Sequence, residues 1–123
     1  MLKRYRARFP HALRGLRFGV VHDFGFRTQL YGIGAVVIAA LYVFSPLTKE
    51  EFLFIVLAYV LILITELQNT ALEIALNRLH PEQHVGIGTS KDLAAGAVLL
   101  AGIFLLVVLA VLIFERSELF LSL

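Results

Sequence analysis

The stretch Leu93-Ala-Ala-Gly-Ala-Val-Leu-Leu-Ala-Gly-Ile-Phe-Leu-Leu-Val-Val-Leu-Ala-Val-Leu-Ile-Phe114 contains no charged residue and no proline. At about 1.5 Å of rise per residue, a helix of this length reaches roughly 33 Å, enough to cross a hydrocarbon core of about 30 Å. Working back along the chain, Phe52 to Thr65 is a second apolar run, and Thr48 precedes it as a helix N-cap with Glu50 and Glu51 in the first turn. Helical periodicity then continues through Glu66-Leu-Gln-Asn-Thr-Ala-Leu-Glu-Ile-Ala-Leu-Asn-Arg-Leu79 and stops before Pro81, so this helix outruns the membrane. A third run, Leu30 to Phe44, is short and closed by Ser45-Pro46, and must borrow length from Arg27-Thr28-Gln29 at the interface.

Composition agrees with an all-α membrane protein. Of 123 residues, 59% are hydrophobic, and the mean hydropathy is +0.86, beyond the usual apolar share of a soluble domain. There is no cysteine, which excludes disulfides and thiolate metal sites. No cleavable signal peptide is expected, because no short apolar run directly follows the basic start and no polar mature domain comes after one.

Seven of the eleven Lys and Arg residues lie between Lys3 and Arg27. Positive flanks are retained in the cytoplasm, so the N-terminus is expected inside and the C-terminus outside. Phe9, Leu13, Leu16 and Val20 recur at helical spacing among Arg6, Arg8, Arg14 and Arg17. That pattern fits a surface helix lying on anionic headgroups, or a basic topology anchor with no other role. No nucleic-acid partner is expected.

The second helix carries the polar residues that call for an explanation. An ionisable group at the bilayer centre costs about 2.5 to 3.5 kcal/mol on insertion scales. At 100° per residue, Asn69, Thr70, Glu73 and Asn77 fall within about 60° of Glu66, forming one stripe that starts in the cytoplasmic leaflet and leads into water. Such side chains can simply hydrogen-bond neighbouring helices. Two carboxylates on one face also suit a divalent cation, or a base beside a metal ligand, and spacing does not separate these roles. The following segment, Val85-Gly-Ile-Gly-Thr-Ser-Lys-Asp92, reads as a loop with Thr89 or Ser90 capping the third helix. Lys91 near a helix N-terminus could meet phosphate, although the Walker order is absent. His84, read by itself, is an exposed loop histidine.

Glu66-Leu-Gln-Asn69-Thr-Ala-Leu-Glu73, followed by Lys91-Asp92-Leu-Ala-Ala-Gly-Ala-Val98, resembles the signature of the prokaryotic diacylglycerol kinase family. The likeness extends over Gly15-Leu16, Phe26-Arg27, Arg78, His84 and the third helix. It implies a homotrimeric bundle of three-helix subunits that moves the γ-phosphoryl of MgATP to a lipid hydroxyl, giving phosphatidic acid, with sites shared between subunits. By the resemblance Glu66 is the general base, and Glu73 with Asp23 holds Mg2+. Asn69, Lys91 and Asp92, with His84 and Arg4, meet ATP and its phosphates, and Arg27 joins Glu66 at the lipid substrate. Ala35 with Ala39, and Ala97 with Ala101, would form small-residue packing ridges.

Three positions depart from the family pattern: Asp23 stands for a Glu one methylene longer, Asn77 for an Asp, and Thr28 for a Gln. Undecaprenol kinases share the signature; diacylglycerol is the expected substrate because the Arg78-to-Lys91 segment, with Glu82 and His84, resembles the proteobacterial branch. A non-catalytic membrane subunit or small transporter, with Glu66 as a proton or cation site, is the rival, and it leaves Lys91-Asp92 unexplained. The expected architecture is one membrane-embedded domain over 1–123, in the bacterial inner membrane. It has a surface helix over about 5–25 and transmembrane helices over about 28–45, 50–79 and 90–115.

Overall fold

The computed structural model describes residues 1–82 and 84–123. It is 89% helical, with no strand among the described residues. Helix α1 (Leu2–His22) ends at Asp23, whose extended backbone breaks the chain direction before α2 (Phe24–Thr28). A π turn (Gln29–Ile33) joins α2 to α3 (Gly34–Val43), and Phe24–Val43 is one continuous helical path of 20 residues. The borrowed length expected before Leu30 is therefore present. Helices α4 (Lys49–Leu79) and α5 (Val85–Leu121) complete the chain.

Two helical paths, Phe24–Val43 and Val85–Leu121, are long and apolar enough to cross a membrane. The outward surfaces of these helices are hydrocarbon: Ile38, Leu99, Leu106 and Phe114 are each more than 60% exposed. In water such a surface would be an aggregation hazard, whereas in lipid it is solvated. The buried residues form a narrow seam instead. Ile55, Ala58 and Ile62 on α4 pack against Ala101, Leu105, Val108 and Leu112 on α5, with Val37 of α3 closing one end. Ala58 opposite Ala101 lets the two backbones approach, as small residues do between membrane helices. Ala97, Ala35 and Ala39 face outward from this chain.

Helix α5 departs from expectation at its start. It begins at Val85, not at Thr89 or Ser90, because His84 Nδ1 accepts the Gly86 N–H at 3.0 Å and supplies the cap. The Thr89 and Ser90 hydroxyls are already inside the helix and donate to the carbonyls of Val85 and Gly86. Gly86 and Gly88 are thus helical residues, and Lys91 lies about 9 Å along the helix from its first residue, beyond the unpaired N–H groups.

The opposite end of the bundle is closed by Arg116. Its Nη2 donates to the carbonyls of Phe44 (2.9 Å) and Pro46 (3.3 Å), and lies 2.9 Å from Glu51 Oε2. Glu51 Oε1 accepts the Thr48 N–H while Thr48 Oγ1 accepts the Glu51 N–H, both at 3.1 Å, forming a capping box. The Thr48 N–H is the main influence holding the Glu51 carboxyl below its ordinary value; burial opposes it, and Arg116 adds to the lowering. A carboxyl lowered by folding stabilises above its unfolded value, and that stability is lost as pH falls through the folded value. Thermal unfolding in detergent should therefore show an acid limb that Glu51→Gln removes, and Thr48→Ala should destabilise by about 1 kcal/mol.

Candidate active site

Glu66 continues the buried stripe of α4 that begins with Ile55, Ala58 and Ile62, and it is 8% exposed. It is the buried charged side chain among the described residues. Its carboxylate lies against Gly25, where a Cβ would overlap Oε1, so the residue without a side chain on α2 makes the space that Glu66 fills.

Asp23 is tied from both oxygens. Oδ1 accepts the Gly25 N–H at 3.1 Å and starts α2, while Oδ2 accepts the Thr70 hydroxyl at 2.5 Å. That pair fastens the α1–α2 junction to the middle of the polar stripe. Asn69 is half-buried, and its Oδ1 is buried with no donor among the described residues. Glu73 and Asp92 are exposed.

Farther along α4, Asn77 Oδ1 accepts from Lys91 Nζ at 2.5 Å, joining the end of the stripe to α5. Asn77, His80, Glu82, His84 and Lys91 line a polar cavity of about 470 Å³ at the α4–α5 turn. A second, apolar groove of about 520 Å³ runs between α1 and α4, lined by Gly15, Leu16, Leu67 and Ile74, with Asp23 and Thr70 in its wall.

Other expected site residues lie apart from Glu66 within the chain. Arg27 turns back, and its Nη1 donates to the Val21 carbonyl at 3.2 Å at the end of α1. Arg4 is exposed, about 28 Å along α1 from Asp23. Lys91 meets Asn77, about 16 Å along α4 from Glu66. Among the described residues no group of three or more His, Asp or Glu side chains is close enough to hold a metal. The donor chemistry nevertheless fits magnesium, which takes one or two carboxylates and completes its shell with phosphate and water. Gly25 was missed by sequence reasoning; Asp23-Phe-Gly25, a typical Asx-turn sequence, was the available signal.

The sequence pattern of prokaryotic diacylglycerol kinases matches residues 10–114 of this chain. The chain belongs to that family. Comparison with curated proteins gives no match. As a family member it is a membrane protein and a lipid kinase of the diacylglycerol and undecaprenol kind, using ATP.

Gly25 offers a direct check on the crowding around Glu66. Gly25→Ala should retain helix content and lower kcat roughly tenfold, since a carboxylate displaced by about 1 Å from its working position carries a penalty of that order or more. Circular dichroism and a coupled ATPase assay on mixed micelles would measure both.

Proposed function

We propose that this family member transfers the γ-phosphoryl group of MgATP to the hydroxyl of diacylglycerol, forming phosphatidic acid at the cytoplasmic face of the bacterial inner membrane. The observation that carries this reading is Glu66, a carboxylate buried on the packing stripe of α4 where that helix turns from apolar to polar. Glu66 takes the proton of the lipid hydroxyl. The lipid oxygen bonds to the γ-phosphorus as the bond to the bridging oxygen breaks, and ADP leaves with its electron pair. Asn69, Lys91 and Asp92, with His84 and Arg4, orient and neutralise the phosphates, and Arg27 serves the lipid side. Magnesium, when bound, would be held by Glu73 and Asp23 and would neutralise charge on the transferring group.

The α1–α4 groove, apolar along its length with Asp23 and Thr70 in its wall, supports a lipid with a small polar head. The cavity beside Lys91, with its two histidines, supports a polyphosphate on the aqueous side.

We also read α4 as a third span. Arg116 and Glu51 mark one end of the bundle, and Asp23 with Thr70 the other. Glu51 and Glu66 are about 22 Å apart along the axis, with Phe52–Thr65 between them. The N-terminus is then inside and the C-terminus outside. A homotrimer with shared sites accounts for three features together: the distance of Lys91 from Glu66, the unpaired Asn69 oxygen, and an outward apolar groove of about 580 Å³ along α5.

The decisive assay is ATP-dependent phosphorylation of diacylglycerol and of undecaprenol in mixed micelles. Glu66→Gln should lose at least a hundredfold in kcat, as removal of a general base does, and Glu73→Gln should lose activity in a way that added magnesium partly restores. Turnover of undecaprenol alone would reassign the substrate. Wild-type protein that phosphorylates neither lipid, yet carries a proton flux abolished by Glu66→Gln, would be a transporter.

A further inference from the structure

The π turn between α2 and α3 carries one feature outside the polar stripe. A π turn holds one residue more than the α path, and it leaves backbone groups without their usual partners. In an apolar span backbone groups find their partners within the protein. Here the Leu30 carbonyl accepts the Tyr59 hydroxyl at 2.6 Å, a bond between the π turn and α4. Gly34, at the first residue after the turn, makes this possible, since a Cβ there would stand 2.9 Å from Tyr59 Oη. Three residues from two helices thus form one device: a carbonyl of the π turn, a hydroxyl that donates to it, and a glycine that gives the ring room.

Tyr59 precedes Glu66 by seven residues, which places it on the same ridge of α4 about 10.5 Å away. On the other helix, Leu30 follows Gly25 by five residues. The Tyr59–Leu30 bond and the Gly25–Glu66 contact are therefore two rungs between the same pair of helices. We infer that Tyr59 is a positioning residue for the kinase reaction: by holding the π turn it fixes which face of residues 23–28 meets the polar stripe. Were the turn to relax to the α path, the preceding segment would rotate by about 100° and shift by about 1.5 Å. The gap at Gly25 would then leave Glu66, and Asp23 would leave Thr70. This inference rests on the lipid kinase reading for its functional consequence but not for its structural one.

The test uses the full-length protein in mixed micelles, with Tyr59→Phe, Gly34→Ala, Gly25→Ala, the Tyr59→Phe/Gly25→Ala double variant, and Tyr31→Phe as control, since Tyr31 is 64% exposed. Tyr59→Phe should lower kcat about tenfold with KM for MgATP changed less than twofold, and Gly34→Ala should act in the same direction. The double variant should fall no more than about twofold below Gly25→Ala alone, because both changes act through the placement of Glu66. Tyr31→Phe should match the wild type. Amide hydrogen exchange should accelerate over 24–34 in Tyr59→Phe and stay unchanged over 49–54, an arm that needs no turnover. Wild-type kcat in Tyr59→Phe, unchanged exchange over 24–34, or independent losses that multiply in the double variant would overturn the inference. If the wild type phosphorylates neither lipid, the kinase reading fails, while the exchange arm still decides whether Tyr59 holds the turn.

Discussion

A carboxylate at a position that helix packing assigns to hydrocarbon is the constraint around which one end of this bundle is arranged. Glu66 follows Ile55, Ala58 and Ile62 along one stripe of α4, where burying a carboxylate carries a desolvation cost that an apolar side chain would not. Its surroundings have given way to it. Gly25 presents no side chain, and Asp23 is held aside by the Thr70 hydroxyl and the Gly25 N–H. Each accommodation gives up packing or adds a like charge nearby. Under the proposed reaction, chemistry and not packing accounts for such a group.

The two ends of the bundle differ in how completely their polar groups are paired. At the Arg116 end, the guanidinium meets two carbonyls and a carboxylate, and α4 starts with a complete capping box. That arrangement closes the loop between α3 and α4 and fixes α5 alongside them. The Glu66 end is less closed: Glu73 and Asp92 face outward, and the Asn69 side-chain oxygen has no donor among the described residues. Because α5 is one helix of 37 residues, its anchorage by Arg116 also sets the depth at which Lys91 stands. Under the proposed function these open polar groups are what soluble and lipidic substrates would meet, while the far end supplies order.

Much of this was legible in the sequence because hydrophobic length and polar spacing are one-dimensional signals. The α4 start could be read from Thr48 and Glu51, and the stripe from Glu66 to Asn77 needed only a 100° step. The α5 start was misread because Gly86, Gly88, Thr89 and Ser90 are residues of loops by propensity, and a histidine cap outweighs that propensity. Gly25, the Asp23–Thr70 bond and the Tyr59–Leu30 bond were not legible. Each joins residues 29 or more apart, or depends on the absence of a side chain, and neither kind of contact leaves a periodic trace. Resemblance supplied the chemistry of Glu66, but it says nothing about Tyr59, for which only packing speaks.

The arrangement also bears on how two substrates of opposite solubility can meet. A lipid hydroxyl cannot travel far from its chains, and a nucleotide triphosphate cannot enter hydrocarbon, so the meeting plane of a lipid kinase is narrow. Helix α4 runs without a break from the buried Glu66 to the exposed Asn77. The apolar groove beside Asp23 meets the stripe at Thr70, and the cavity beside Lys91 meets it at Asn77. Within one chain these entries join the stripe about 10 Å apart, from Thr70 to Asn77. Under the trimeric reading a neighbour's Lys91 can lie nearer to Glu66 than the chain's own, which would let a rigid helix serve both phases without having to move.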